Sequence, residues 1–473
     1  VCNFKKEKKM WKNAILGLLG IMLLPGTPLN GYAKARKSED LSRTQLETIT
    51  VTAQKREESV QKIPVSIVTF EPMEQEDRMI EGVDELVTFV PNMGSFDTTV
   101  LGENVITMRG ITASATTRST ATGMYIDGIP VLTSFGFNAD LFDVERVEVL
   151  RGPQGTLYGK STQAGAVNIV TVKPGDTLTG KLTGQGGLLL PGDDSDCLAG
   201  AIYGVASGPL ADDKLSFSLA GKAAHRDGFV ENLTTGEKEY AHDTFYGGGK
   251  LYWTPTEDLN ITAILSAKSL RQDGTNANRA GAPDRVVASD LASWQDVDAN
   301  MQALNAQYAI SDAMKLTSIT TRSEMKLKGE IDFDFSNMKI MHGSLVSDTK
   351  NLSQELRLNA SLGKWDCLFG VYLDHQKVNY AAQMDSMNPM YKSGLTTKLT
   401  GKSYAGYIDA GYQLTSQIKL LGGLRYAWQQ YEFKSTILPG TQEESWTNLS
   451  PKIGLQYAFT ENITGYATIA EGY

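Results

Sequence analysis

The chain has 473 residues, with 45 Lys and Arg against 54 Asp and Glu and a net charge of −9. That acidic balance excludes a general nucleic-acid binder, which needs clustered cations to neutralise phosphates. Three cysteines and four scattered histidines (His225, His242, His342 and His375) give neither a disulfide framework nor metal-ligand spacing, so no catalytic set, cofactor or resident metal is expected.

Residues 1–33 run from a basic stretch (Lys5, Lys6, Lys8, Lys9, Lys12) through eleven apolar residues at 14–24 to a polar end, Gly31-Tyr32-Ala33. This is the layout of a secretory signal peptide with cleavage after Ala33, since a spanning helix needs about 20 apolar residues. The segment carries five lysines and one glutamate, so residues 34–473 hold −13. Beyond it only Cys197 and Cys367 remain, with no pairing implied.

Residues 34–46 are a short polar lead, and residues 47–53, ETITVTA, are an isolated strand candidate rich in β-branched side chains. Residues 124–131 hold Asp127-Gly128 between short apolar arms, which predicts a two-residue hairpin with both central residues at positive φ. Residues 143–174, DVERVEVLRGPQGTLYGKSTQAGAVNIVTVKP, alternate β-branched residues with charges, break at Arg151-Gly152-Pro153 and restart as an apolar strand at 166–172. Gly155 and Gly159 have three residues between them where a phosphate loop needs four, which argues against a nucleotide site.

From residue 180 the pattern becomes strands between short polar turns at 208–213, 254–258, 310–312, 361–364, 415–417 and 460–462. Long polar stretches at 226–241, 272–300, 329–344 and 383–398 fall between them. Tight turns at one end and long loops at the other predict an outer-membrane barrel, which leaves no long apolar run because lipid-facing and lumen-facing residues alternate. In residues 418–428 one face carries Ile418, Leu420, Gly422, Leu424, Tyr426 and Trp428, and the other Lys419, Leu421, Gly423, Arg425 and Ala427. Trp253, Tyr308, Trp365, Tyr412 and Phe459 each stand near a short turn, as an interfacial girdle requires; a soluble sandwich would share the alternation but not the girdle. Thirteen strands are expected from residue 180 onward. Bacterial barrels have even strand numbers and plugged ones about 22, so the barrel is expected to be incomplete here, short of about nine strands or roughly 200 residues.

Taken with Arg109-Gly110 and YIDGIP at 125–130, the run 143–174 resembles the plug domain of TonB-dependent outer-membrane receptors, and residues 47–53 resemble that family's coupling box. One departure is Ala164-Gly165-Ala166, where relatives usually have adjacent glycines. The resemblance implies a mainly β protein: a transmembrane antiparallel β-barrel of about 13 strands with an N-terminal α+β plug domain in its lumen. It divides the chain into 1–33 signal peptide, 34–53 periplasmic lead with TonB box, 54–173 plug and 180–473 N-terminal part of the barrel. It implies a bacterial outer-membrane receptor, not an enzyme, with outer-membrane lipid around it and TonB as periplasmic partner. Its task would be TonB-dependent transport of a large scarce nutrient. By family frequency the ligand is a ferric siderophore, with cobalamin, haem or a glycan open. A passive porin-like barrel or a truncated remnant are the rival readings.

The resemblance also assigns roles. Glu47, Thr48, Ile49, Thr50, Val51, Thr52 and Ala53 would bind TonB by adding a strand to it. Arg109 and Arg151 match plug positions that pair with barrel carboxylates; Glu355, which shares a polar face with Ser353, Arg357 and Asn359, and Asp409 are the candidate partners of this latch. Phe96, Arg118, Phe135 and Phe137 are the candidate substrate contacts. A methionine group, Met338 and Met341 beside His342 with Met384, Met387 and Met390, offers either soft-metal capture or apolar packing.

Overall fold

The computed structural model describes residues 49–473 apart from 73–77, 79, 98–103, 113–119, 132–140, 142, 190–196, 212–213, 275–282 and 461. The expected signal peptide and lead, with Glu47, Thr48, Arg118, Phe135 and Phe137, lie outside the described residues.

The N-terminal part contains β1 (Thr50–Val51), β2 (Glu58–Ser59), β3 (Ser66–Phe70), β4 (Met93–Asp97), β5 (Asn104–Met108), β6 (Thr122–Ile126), β7 (Ile129–Pro130), β8 (Val144–Arg151) and β9 (Gly165–Thr171). Strands β3, β8, β9, β6 and β7 make one mixed sheet in that order, with β6 and β9 parallel. Asp127 and Gly128 both take positive φ, 51° and 75°, so the β6–β7 turn is the hairpin that Asp-Gly dictates. One face of the sheet packs Phe70, Leu86, Met108, Val147, Val149 and Ile169 into an apolar core.

Sixteen further strands follow among the described residues: β10 (Thr179–Leu189), β11 (Cys197–Ala211), β12 (Leu215–Arg226), β13 (Val230–Asn232), β14 (Lys238–Glu239), β15 (His242–Thr256), β16 (Leu259–Asp273), β17 (Val286–Val287), β18 (Trp294–Ser311), β19 (Met314–Asp332), β20 (Met341–Leu362), β21 (Trp365–Ser386), β22 (Ser393–Gln413), β23 (Ile418–Ser435), β24 (Thr441–Ala458) and β25 (Thr464–Ala470). Thirteen of these form one antiparallel sheet in chain order, and β13, β14 and β17 form a separate small sheet where two long loops meet. The predicted number of wall strands is therefore the observed one.

Strands β20 and β21 each have 22 residues, far more than the roughly 9–11 that cross a bilayer. They continue as a ladder beyond the membrane, so the polar stretches expected as loops at 329–344 and 383–398 are strand at both ends, with loops only at 333–340 and 387–392. Facing follows the alternation: Leu420, Leu424 and Tyr426 are exposed on the outside, while Leu421, Arg425 and Ala427 are buried on the inside. Outward aromatic pairs bracket an apolar zone. Trp365 and Tyr412 meet at 4.6 Å near the short turns, and Tyr404 and Trp428 stack at 5.5 Å further along. Tyr404 and Tyr412 are eight residues apart on β22, about 20 Å of height in a tilted strand, which suits an apolar band about 25 Å tall. No helix among the described residues is long and apolar enough to cross a membrane.

Candidate functional site

The site lies where the start of the described chain meets both the mixed sheet and the inner wall. Strand β1 pairs with β2, and Val60 N–H donates to Ile49 O at 2.9 Å. Val51 and Ala53 are buried against Leu150, Ala166, Leu157 and Tyr158, whereas Thr50 points outward. One fully buried carboxylate holds the strand's end. Glu148 accepts from Thr52 N–H (2.8 Å), from Arg146 Nε (2.8 Å) and from Asn168 Nδ2 (3.1 Å), and Tyr158 OH donates to Ala53 O at 2.8 Å. A buried anion is tolerated only when it is paired and hydrogen-bonded to this degree.

Two cations follow directly. Lys55 closes a turn at φ 59°, its N–H bonded to Thr52 O, and its Nζ reaches Glu355 Oε1 on β20 at 2.5 Å. Tyr407 OH on β22 donates to the same oxygen, Arg357 Nε stands 3.8 Å from the other, and Asn359 Nδ2 donates to Lys55 O. The ammonium also faces the rings of Tyr158 and Tyr407 at 5.4 and 5.1 Å. Burial lowers the Lys55 pKa to about 8, and the neighbouring Glu355 carboxylate offsets only part of that loss. Arg56 lies 3.6 Å from Asp409, whose other oxygen takes Lys452 Nζ at 2.8 Å, and 3.3 Å from Glu58, whose carboxyl burial raises.

The helical turn Gly155–Tyr158 rests on β22, β23 and β24. Gly159, at φ 80°, admits the Arg425 guanidinium to within 2.8 Å of where a Cβ would stand, and Arg425 faces the rings of Tyr407 and Tyr372. Lys160 pairs with Asp374 at 3.1 Å. Across the lumen the signs reverse: Asp127 and Glu81 of the inner unit pair with Lys250 and Lys222 of the wall at 2.6 and 3.3 Å.

The expected pairing of Arg109 and Arg151 with Glu355 and Asp409 does not form. Arg109 sits at φ 54° with its guanidinium against Gly152, and Arg151 reaches Pro91 O at 3.5 Å. Arg151 stays within the inner unit because β8 ends beside β3 and β9, Arg109 because its N–H is bonded to Asn92 O, and Lys55 and Arg56 meet the acids instead. Phe96 is an exposed side chain on the β4–β5 hairpin. Met338, Met387 and Met390 are exposed.

Sequence reasoning passed over Lys55, Arg56, Glu148 and Lys160. A usable signal was present: Lys55-Arg56 just beyond a β-branched strand, and two charges, Arg146 and Glu148, alternating with the apolar Val147 and Val149.

An apolar-faced antiparallel wall around an ion-paired mixed sheet defines a plugged outer-membrane barrel. The chain belongs to the TonB-dependent receptor family, whose members are outer-membrane proteins: residues 59–166 match the TonB-dependent receptor plug domain and residues 262–473 the TonB dependent receptor-like β-barrel. Among curated relatives, the pesticin receptor of Yersinia pestis is 27% identical over 96% of this chain. The iron-regulated outer membrane virulence protein of Vibrio cholerae is 24% identical over 77%. The chain spans 66% and 61% of their respective lengths. The ferric yersiniabactin uptake receptor FyuA of Yersinia pestis shares the fold with a TM-score of 0.77 at 23% identity, over 86% of this chain and 64% of that one.

Proposed function

We propose that this protein is an energy-coupled receptor that carries a ferric siderophore across the outer membrane, drawn by TonB through residues 47–53. The observation that carries this reading is the position of Lys55 and Arg56, two and three residues beyond the buried end of the box and ion-paired to the barrel wall. A pull on the box would first peel β1 from β2 and Thr52 from Glu148. An extended chain spans about 3.3–3.6 Å per residue, so within roughly 10 Å the load reaches Lys55–Glu355 and Arg56–Asp409. The plug, taken as residues 54–173, would then yield at its wall contacts, with residues 180–473 as the part of the barrel it leaves. The names of the relatives, an iron-regulated outer membrane virulence protein and a ferric yersiniabactin uptake receptor, favour a ferric siderophore over cobalamin, haem or a glycan. Phe96, with Arg118, Phe135 and Phe137, is the proposed contact set for that ligand.

The test is growth on ferric siderophores as sole iron source in a receptor-deficient strain carrying Ile49→Pro or the unaltered protein. Proline at 49 cannot continue a donated strand, so uptake is expected to vanish at unchanged surface abundance. Unimpaired uptake would overturn the coupling role. Uptake of haem or cobalamin in place of every siderophore tried would overturn the ligand.

A further inference from the structure

The long-loop end of the barrel holds a cluster unrelated to the plug. Asp290, Asp332 and His342 each offer one ligand atom, and the three atoms lie within 4.8 Å of one another. Asp332 ends β19 and is the direct cross-strand partner of His342 on β20, so both side chains leave one face of the ladder. Asp290 comes from the β16–β18 loop, fixed by its N–H to Ser336 O at 3.1 Å, while Ser289 O accepts from the buried Asn232 at 2.9 Å. His342 Nε2 stands 2.8 Å from Asp290 Oδ1, a hydrogen bond that a cation between them would replace by opening the pair to about 3.3 Å, the edge of a tetrahedron with bonds of about 2.0–2.1 Å.

A second observation points to a ligand. Asp332 is 1% exposed; its Oδ1 accepts from the N–H groups of Asp334 and Phe335, but its shielded Oδ2 has no hydrogen-bond partner. The Ser289 hydroxyl approaches this carboxylate yet donates to Leu291 O. A buried carboxylate oxygen with no donor is a costly arrangement that a cation would remedy. One imidazole nitrogen and two carboxylates suit a borderline first-row cation such as Zn2+ better than a soft ion, and better than Ca2+, which takes six to eight oxygens.

We propose that Asp290, Asp332 and His342 bind a first-row divalent cation, which staples the β16–β18 loop to the β19–β20 hairpin at the barrel's long-loop rim. The loops are already held by backbone bonds, so the cation adds rigidity to a folded frame rather than creating it. The proposal stands whether or not the transported ligand is a siderophore.

The test is calorimetric titration of the full-length, chelator-treated protein in detergent with ZnCl2, beside His342→Ala, Asp290→Asn and His225→Ala. One saturable site is expected in the unaltered protein and in H225A, weakened roughly tenfold or more in H342A and D290N and weakening on acidification as the ligands take up protons. Zn2+ should also slow proteolysis between residues 283 and 293. An isotherm unchanged in H342A would overturn the proposal. If H342A fails to fold, D290N decides, and unchanged affinity there has the same force. Ca2+ binding as tight as Zn2+ and indifferent to His342 would overturn the assignment of the cation class.

Discussion

The two faces of the plug meet the wall with opposite polarity. Toward β20–β24 the plug presents cations, Lys55, Arg56 and Lys160, to Glu355, Asp409 and Asp374; toward β12 and β15 it presents Glu81 and Asp127 to Lys222 and Lys250. Reversed signs key the plug in one rotational setting, because a half-turn would place like charges together. The pairs also differ in wetness. Lys55 and Glu355 are 7% and 6% exposed, whereas Glu81, the partner of Lys222, is 40% exposed. A dry pair responds far more to loss of one partner than a wet one. Under the proposed coupling, the Lys55–Glu355 pair, two residues beyond the box, is therefore where a pull would meet resistance.

Breaking the dry pair should have the largest effect. Glu355→Ala leaves Lys55 and Arg357 facing each other without an anion, and the expected loss of plug docking is about 3–5 kcal/mol. Protease access to residues 49–59 in detergent-solubilised protein would report it. Restoration by Lys55→Met on the same background would assign the loss to the unpaired ammonium, and no restoration would assign it to Tyr407 or Arg357. Next comes Glu148→Gln, which removes the anion from Thr52 and Arg146 while keeping the shape. The expected cost is about 2–3 kcal/mol, concentrated in the box. Cleavage near Thr52 should rise with residues 143–171 unaffected; equal loosening of β8 and β9 would mean that Glu148 holds the sheet rather than the box.

The dry pair also has a pH signature. Lys55 titrates at about 8 in the folded protein against 10.5 in an unfolded chain. Between those values the unfolded state binds the extra proton, so the contribution of this group to stability is fully present above 10.5 and is lost as pH falls through 8. Protection of the box should accordingly increase from pH 8 toward 10, and Lys55→Met should flatten that trend. A decrease with pH in the unaltered protein would show that the pair with Glu355 outweighs burial.

The same contrast governs what the sequence disclosed. The barrel was legible because period-two alternation, turn spacing and the aromatics beside turns are local, and lipid forces one face of each strand to be apolar. The Asp127-Gly128 hairpin was legible because that dipeptide accepts positive φ at both positions. The choice of partners for Glu355 and Asp409 was not. Both acids lie buried, but which plug cation arrives there depends on how the chain after the box crosses the lumen, and local pattern carries no record of that path. Alternation is also a poor guide to burial at residues 144–151. Charged positions normally mark a wet face, yet Glu148 is enclosed by Thr52, Arg146 and Asn168. His342 shows the same limit, since its neighbours Asp290 and Asp332 come from separate segments joined only by the fold.

The Glu81–Lys222 pair supplies the smallest effect and the control for the rest. Glu81→Gln removes the partner of Lys222 at 3.3 Å, but Glu81 is 40% exposed, so water takes over much of what the carboxylate did. Exposed pairs are worth about 0–1 kcal/mol and weaken with salt, so the expected loss is under 1 kcal/mol and should disappear at high ionic strength. Glu355→Ala should persist in the same salt series, because ions do not enter a pair buried between plug and wall. Measured side by side through protease access to residues 49–59, the two variants separate a latch from a contact. An equal, salt-sensitive loss in both would mean that the polarity of the two faces sets orientation only, with no difference in grip.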